Sequence, residues 1–312
     1  MNKSIVFPGQ GSQRVGMGKD LYQNFGIAKE VFNNVDDSIS QKLSKLIFEG
    51  PIGELTKTEN AQPAIMAVSI AILEVLKKEY GMKLSDINYC AGHSLGEYTA
   101  LVATNCLELR DVAKLLKLRG LSMQNAVPIG KGSMVALIGA DIEDVKLLID
   151  NISKNYICEI ANHNSHNQVV LSGDSEAIDL VINKANEKKI KAIKLDVSAP
   201  FHCQFMKKTA QKLEETFKNI NFRNPIIPIV CNFTATPVSE TNNLKKALIN
   251  QTFSTVRWFE SICFMLNHGV NNFIEIGCGS TLSNMIKRIK IEKSFSAESI
   301  SNTEDIENYL KN

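Results

Sequence analysis

Ser94 lies in the segment whose residue types most directly predict chemistry. It stands between Gly92 and Gly96 in a G-x-S-x-G pattern. Residues 87–91 before it are strand-forming and residues 97–104 after it favour a helix, which is the order of a nucleophile elbow. The glycines let the backbone turn tightly, and the start of a helix favours developing negative charge. An ordinary turn would explain the pentapeptide alone, but its context predicts a nucleophilic serine.

A serine hydroxyl needs a base within hydrogen-bond reach, and the chain has five histidines. His93 is expected to point away from the neighbouring serine and to serve in packing. His163 and His166 lack a third metal ligand nearby, so no metal site is expected, and His268 has the position of a helix end. His202 is the predicted base, at a predicted helix start where the dipole keeps its imidazole neutral. A hydrogen-bonded core histidine is the alternative.

Arg119 is the most informative charge in the sequence. On the helix predicted for residues 111–125, with about 100° per residue, Arg119 falls within the apolar face. Such an arginine can snorkel to solvent or pair with a structural carboxylate. It can also point into a pocket and hold a ligand carboxylate in a two-pronged clamp, which guanidinium geometry suits.

The glycine-rich loop at residues 8–18 resembles a phosphate loop only superficially. Gly11 and Gly16 have the spacing of that motif, but Met17 stands where its lysine is required. The dinucleotide pattern fails as well, because Arg14 takes the place of its third glycine. We therefore expect no nucleotide cofactor, and we interpret the loop as backbone that approaches a substrate.

Composition excludes several classes of protein. A net charge of +2 over 312 residues argues against nucleic-acid binding, which needs a concentrated basic face. Seven scattered cysteines without a C-x-x-C motif are typical of a reduced, cytoplasmic protein. A first strand by Ser4 is expected to leave no room for a signal peptide. The apolar run 64–75 is too short to span a bilayer and is predicted to be a buried helix opened by Pro63.

Alternating strands and helices predict an α/β fold with a parallel sheet covered on both faces. The predicted elements include helices at 19–35 and 258–267 and strands at 226–232 and 272–276. From Lys131 the pattern changes to β-α-β-β-α-β, the order of a ferredoxin-like unit. We expect a large subdomain at 1–130 and 199–312 and an inserted ferredoxin-like small subdomain at 131–198.

Six motifs occur in the order seen in malonyl-CoA:acyl carrier protein transacylases, and the chain resembles this family from Ile5 to about Ile289. They are Phe7-Pro-Gly-Gln-Gly-Ser-Gln13, Gly92-His-Ser-Leu-Gly-Glu97, Arg119-Gly120, Pro200-Phe-His202, Gln251 and Glu275-Ile-Gly277. The resemblance implies an α/β-hydrolase-like large subdomain and a ferredoxin-like small one.

The resemblance also implies catalytic roles. Ser94 would attack the thioester of malonyl-CoA while His202 takes its proton, and Arg119 would clamp the malonyl carboxylate. The backbone N–H groups of Gln10 and Leu95 would form the oxyanion hole.

Further residues would shape the pocket and orient the base. In this family a main-chain carbonyl near the position of Gln251 orients the histidine, although Asp196 and Glu275 can be nominated from the sequence. Gln62 matches a pocket glutamine. Phe201 would narrow the pocket against an α-methyl branch and so favour malonyl over methylmalonyl.

The implied reaction passes the malonyl group through a malonyl-serine ester to the phosphopantetheine thiol of acyl carrier protein, supplying fatty acid synthesis. The implied partners are malonyl-CoA and acyl carrier protein, and the chain is expected to be a monomer without membrane contact. A serine thioesterase or hydrolase of acyl-CoA, or a non-catalytic carrier binder, is the alternative. Thr255, Cys278 and residues 164–167 depart from the usual family pattern and put local loop geometry in question.

Overall fold

The computed structural model describes residues 2–197 and 199–311, whose strands form two sheets. The larger sheet has the order β10-β9-β1-β2-β7-β8, and all its neighbours are parallel except the β7–β8 pair. Its strands are β1 (Lys3–Phe7), β2 (Ile87–Gly92), β7 (Ile229–Val230), β8 (Pro237–Val238), β9 (Asn272–Ile276) and β10 (Ser296–Ile300).

The smaller sheet is antiparallel, with the order β4-β5-β3-β6. Apolar residues from two helices pack against β3 and β5 to form its core. The predicted β-α-β-β-α-β order is confirmed, and the unit is ferredoxin-like. The elements are β3 (Gly132–Ile138), α8 (Ile142–Ile149), β4 (Cys158–Ser165), β5 (Gln168–Asp174), α9 (Ser175–Glu187) and β6 (Lys191–Lys194).

The boundaries of the two subdomains stay a prediction. Ser198, the expected last residue of the small subdomain, lies outside the described residues, as do Met1 and Asn312 at the ends of the expected large one.

Helices cover both faces of the larger sheet, as its parallel pairing requires. Ile5 and Phe7 of β1 enter one apolar core and Val6 enters the other, because successive strand residues point to opposite faces. The helices are α1 (Lys19–Asn24), α2 (Gly26–Ser38), α3 (Leu43–Glu49), α4 (Ile52–Thr56), α5 (Thr58–Lys78), α6 (Leu95–Ala103), α7 (Leu109–Gln124), α10 (Lys207–Phe217), α11 (Thr241–Phe253), α12 (Trp258–Asn267), α13 (Thr281–Lys287) and α14 (Thr303–Lys311).

Helix α5 runs through the larger core. By length and composition alone it could cross a bilayer, but 89% of its apolar window is buried inside the protein. Pro63 lies inside the helix, so the prediction that it opens the helix was wrong. The first residues of α5 are mostly polar, so the apolar pattern in the sequence did not reveal the first turns of the helix. Their polar groups are paired, with Thr58 N–H donating to Gln124 and the Asn60 amide to the Glu54 carbonyl.

Other boundaries also differ from the predictions. A helix predicted for 19–35 is interrupted at Phe25, which has extended backbone angles. The strand predicted for 226–232 forms ladder pairs only at Ile229–Val230. Residues 164–167, expected in a loop, belong to the hairpin that joins β4 to β5. Elements α4, β8, β10 and α14 were not predicted.

The remaining departures from the family pattern fit the fold. The Thr255 hydroxyl donates to the Ile160 carbonyl over 2.6 Å, tying β4 to the segment before α12. Cys278 is buried in the turn between β9 and α13.

The turn after β2 is packed directly against the end of β1. His93 N–H donates to the Phe7 carbonyl oxygen over 3.0 Å. A Cβ on Gly96 would lie 2.2 Å from that oxygen, so only glycine fits. Two loops at the carboxyl ends of neighbouring parallel strands are thereby held side by side, which is where ligands bind in open α/β sheets.

We expect Gly96→Ala to destabilise the protein by about 1–3 kcal/mol or more, because a methyl group must displace the Phe7 backbone. Gly53→Ala is the matched control, since that exposed helical glycine has open space around its Cβ position. Urea denaturation of both variants measures the difference, and equal midpoints would contradict the tight contact.

Candidate active site

Ser94 stands at the tip of the turn between β2 and α6 in a strained conformation, with φ 53° and ψ −103°. Residues of this kind in a left-handed region cluster at functional sites. Its Oγ lies 2.8 Å from Nε2 of His202. Its backbone N–H donates to Oδ1 of Asn232 over 2.8 Å. The hydroxyl is thus presented to an imidazole, as the sequence predicted for a nucleophile and its base.

His202 is buried and also has positive φ, at 59°. Its Nδ1 lies 2.8 Å from the main-chain oxygen of Gln251. Because a carbonyl only accepts, Nδ1 carries the proton and Nε2 is free to accept from the serine hydroxyl. This geometry leaves the ring ready to act as a general base.

The physical reason given for a neutral His202 was wrong. A 3₁₀ turn at Gln204–Met206 separates it from helix α10, which begins at Lys207, and the ring is kept neutral by its surroundings. Burial, together with repulsion of the imidazolium by the nearby Arg119 guanidinium, lowers the pKa of His202 to about 3.

Neither carboxylate nominated to orient the base does so. Glu275 accepts hydrogen bonds from the backbone N–H groups of Leu282 and Ser283 and so holds the start of α13. Asp196 is exposed at the rim of the cavity. The orienting group is the main-chain carbonyl of Gln251, the position that the resemblance implied.

Arg119 is 1% exposed, and its guanidinium is surrounded by neutral acceptors. Nη1 donates to Oε1 of Gln62 over 2.8 Å. Nη2 donates to Oγ of Ser94 and to Oε1 of Gln251, each over 3.0 Å. The ring of Tyr98 lies 5.2 Å below its central carbon.

No carboxylate in the described part of the chain forms a salt bridge with Arg119. Burial lowers its pKa, and this effect outweighs the Coulomb attraction of the nearby Tyr98 and Glu97 side chains. Both structural explanations, snorkelling and pairing with a carboxylate, fail. A buried cation with only neutral partners is costly, and an anionic ligand beside Ser94 would compensate it.

A cavity of about 280 Å³ opens in front of these groups. It is lined by seven of the eight predicted site residues: Gln10, Gln62, Ser94, Leu95, Arg119, Phe201 and His202. Gln251 lies behind Arg119. Met134 of β3 and Asn162 of β4 also line the cavity, so both sheets contribute to it.

The groups predicted for an oxyanion hole lie beside the nucleophile. Leu95 is the first residue of α6, and the N–H of such a residue has no acceptor within its helix. Gln10 follows β1, and its side chain donates to Thr58 Oγ1 over 3.3 Å. This contact directs the Gln10 side chain toward Thr58, whereas the oxyanion-hole role was predicted for the Gln10 backbone N–H.

Two polar residues beneath the serine were missed. Glu97 is fully buried, and its Oε2 accepts from the Asn232 backbone N–H over 2.9 Å and from Nε2 of Gln251 over 3.1 Å. A carboxylate among the apolar residues 95–103 is a signal that could have identified Glu97. Asn232 has no such local signal, since its importance comes from its contact with Ser94.

The other histidines have structural contacts. Nε2 of His93 lies 2.9 Å from Oδ1 of Asn164, and the ring packs against Trp258. His163 lies 3.2 Å from Glu260. Within 2–197 and 199–311, no group of three or more His, Cys, Asp or Glu residues could hold a metal ion.

Comparison with known proteins identifies relatives over nearly the whole chain. The acyl transferase domain model matches residues 5–307. A malonyl CoA-acyl carrier protein transacylase of Bacillus subtilis (strain 168) is 41% identical over 306 residues, covering 97% of this chain and 95% of the relative. The enzyme of that name from Escherichia coli (strain K12) is 35% identical over 289 residues, covering 92% of each.

Solved structures agree with these relatives. The crystal structure of an acyl-carrier-protein-S-malonyltransferase from Bartonella henselae has a TM-score of 0.96 at 41% identity, over 100% of this chain and 99% of the other. A malonyl-transacylase solved in complex with its type II polyketide synthase acyl-carrier protein has a TM-score of 0.95 at 36% identity, over 100% and 99%.

We expect the His202 ring to stay neutral down to about pH 5, because burial lowers its pKa to about 3 from 6.5. Histidine side-chain NMR over a pH titration, with His202→Gln assigning the signal, measures this. A midpoint near the ordinary value of about 6.5 would contradict it. By linkage, the stability contributed by the neutral ring is complete above pH 6.5 and is lost as pH falls toward 3.

Proposed function

The chain belongs to the malonyl CoA-acyl carrier protein transacylase family of acyl transferase domains, and we propose that it transfers a malonyl group from malonyl-CoA to the phosphopantetheine thiol of acyl carrier protein. The observation that carries this function is the buried guanidinium of Arg119, 3.0 Å from the Ser94 hydroxyl and without a carboxylate partner in the described residues. The Arg119 guanidinium gains a carboxylate partner only when the acyl group on Ser94 carries a negative charge beside it.

A malonyl group supplies this charge at the right place. Its carboxylate is separated from the thioester carbonyl by one methylene, so a carbonyl at Ser94 brings the carboxylate to the neighbouring guanidinium. Arginine binds carboxylates through two parallel hydrogen bonds. Gln62 holds Nη1 and Gln251 holds Nη2 of Arg119, which supports an orientation set before the substrate enters.

The first half-reaction acylates the serine. Oγ of Ser94 attacks the thioester carbonyl while its proton passes to Nε2 of His202, 2.8 Å away. The oxyanion accepts hydrogen bonds from the N–H groups of Leu95 and Gln10, whose place beside Ser94 supports this role. The C–S bond then breaks, and coenzyme A leaves as a thiol with the proton returned by His202.

The second half-reaction reverses these steps with a new thiol. The phosphopantetheine sulfur attacks the malonyl-serine ester as its proton passes to His202. Collapse of the tetrahedral intermediate breaks the ester C–O bond, and His202 returns the proton to Oγ of Ser94. The carbonyl of Gln251 keeps the ring in its productive tautomer throughout, by the contact to Nδ1.

The remaining proposals concern the cellular environment, the oligomeric state and the binding partners of the protein. All seven cysteines are free, which supports a reducing, cytoplasmic environment. One chain supplies every residue described at the site, which supports a functional monomer. The net charge of +2 and the burial of α5 support action without nucleic acid or a membrane. The steps above use only side chains and backbone of the chain, without a cofactor.

We expect Arg119→Ala to lower kcat/KM for malonyl-CoA by about 10²- to 5 × 10³-fold, because loss of one partner of a buried ion pair costs ~3–5 kcal/mol. Reactivity toward acetyl-CoA, which has no carboxylate, should change far less. Single-turnover acylation of Ser94, followed by mass spectrometry, measures both substrates.

Arg110→Ala is the matched control, since this exposed arginine is on the same helix and bonds only Asn34 among the described residues. Equal losses for malonyl- and acetyl-CoA in Arg119→Ala would refute the clamp. Adding carrier protein separates transferase from hydrolase, because a hydrolase would deacylate as efficiently without it. A wild-type protein that never forms the serine adduct would be a carrier binder.

Phe201→Ala should raise the relative reactivity of methylmalonyl-CoA by about 10- to 200-fold, since steric selection is worth ~1–3 kcal/mol per methylene. Phe201 lines the cavity beside the base, where it narrows the space for an α-methyl group. Phe205→Ala, which alters the same apolar cluster away from the cavity lining, is the control. An unchanged ratio of methylmalonyl to malonyl rates would remove this role from Phe201.

A further inference from the structure

A buried carboxylate lies directly beneath the nucleophile and takes no part in the steps above. Glu97 is in the first turn of α6 and is 0% exposed. Its Oε2 accepts two hydrogen bonds, from Gln251 Nε2 and from the Asn232 backbone N–H. Burial raises the pKa of this carboxyl to about 7. Burying such a group is costly unless it is hydrogen-bonded, so these two contacts need an explanation.

The first contact sets the direction of the Gln251 amide. Its Nε2 donates to Glu97 and to the Ser94 carbonyl oxygen, the latter over 2.8 Å, and its Oε1 accepts from Arg119. The same Glu97 oxygen already accepts from the Asn232 N–H, so it faces the amide as an acceptor and selects its NH₂ end. The oxygen end is then left for the guanidinium. A reversed amide would place NH₂ against Arg119, two donors facing each other.

The second contact supports the turn that carries the serine. Asn232, whose N–H donates to Glu97, accepts from the Ser94 N–H through Oδ1. Its Nδ2 donates to the Gly92 carbonyl over 2.7 Å. The strained backbone of Ser94 is therefore held from below by an asparagine that Glu97 anchors.

We propose that Glu97 is a positioning residue that orients Arg119 through Gln251 and Ser94 through Asn232, and so sets the selectivity for malonyl over uncharged acyl groups. The inference rests on the proposed function, since it assumes that Arg119 receives the substrate carboxylate. It predicts a specific loss: without the acceptor, Gln251 is free to turn, and the guanidinium loses its fixed direction.

Three variants of Glu97 separate positioning from general stability. Glu97→Leu removes both acceptor oxygens, and it should reduce Ser94 malonylation about tenfold more than acetylation. Glu97→Gln can keep an acceptor at the Oε2 position and place its nitrogen at Oε1, which has no nitrogen or oxygen partner in the described residues. It should therefore recover most of the selectivity. Glu97→Asp, which withdraws the carboxylate by one methylene, should lose selectivity and serves if Glu97→Leu does not fold.

A double-mutant cycle tests the route through Gln251. Gln251→Leu removes the side-chain amide but keeps the carbonyl that contacts His202. If Glu97 acts on selectivity through this amide, the double variant should lose no more selectivity than Gln251→Leu alone. If the selectivity losses of the two single variants multiply in the double variant, Glu97 and Gln251 act independently, and the proposed route through the Gln251 amide is wrong.

Glu275→Leu is the matched control, because it removes another buried carboxylate that bonds backbone N–H groups, at a helix away from the cavity. It should alter stability but not the ratio of malonyl to acetyl rates. Wild-type selectivity in folded Glu97→Leu or Glu97→Asp, or no recovery in Glu97→Gln, would overturn the inference. Failure of the proposed function is distinct, since the wild type itself would then not malonylate Ser94.

Discussion

The site depends on one electrostatic constraint, a buried guanidinium without a carboxylate. Arg119 is nearly fully enclosed, and each of its three side-chain acceptors is neutral. Hydrogen bonds to a charged group are worth about 1.5–3 kcal/mol each, which offsets part of the desolvation of the cation. Neutral acceptors leave it without a carboxylate in direct contact, and its burial outweighs the Coulomb attraction of Glu97, which reaches it only through Gln251. The fold thereby maintains a strong preference for an anion beside the serine, and the same charge disfavours a protonated His202.

That constraint explains why so much of the surrounding structure is polar yet buried. Gln62 and Gln251 hold the guanidinium, Glu97 selects the orientation of Gln251, and Asn232 joins this group to the turn. Each buried polar group is supported by another, which fixes directions more firmly than single contacts do. The strained backbones of Ser94 and His202 persist because these surroundings over-determine them.

Much of the architecture could be predicted because its signals are local. The β-α-β-β-α-β order, helix α12 and strand β9 follow directly from apolar periodicity. The start of α5 could not be predicted, because its first residues are polar yet buried. The Thr58 hydroxyl accepts from Gln10 and the Asn60 side-chain oxygen accepts from Gln41, two residues distant in the chain. The strand at 229–230 pairs with β2 and β8 over only two residues, and the extent of such pairing is a tertiary property.

The sequence by itself determined the elbow at Ser94 and the helix that carries Arg119, because each depends on residue types within a few positions. It predicted His202 as the base by elimination and left a hydrogen-bonded core histidine as the alternative. Only the tertiary structure decided that these groups meet, that Arg119 lacks a carboxylate, and that Glu97 and Asn232 stand beneath the serine. It also decided why His202 is neutral, which follows from burial and a neighbouring cation. The physical reason is that hydrogen bonds and Coulomb interactions depend on distance in space, and residues 94, 119, 202 and 251 become neighbours only after the chain has folded.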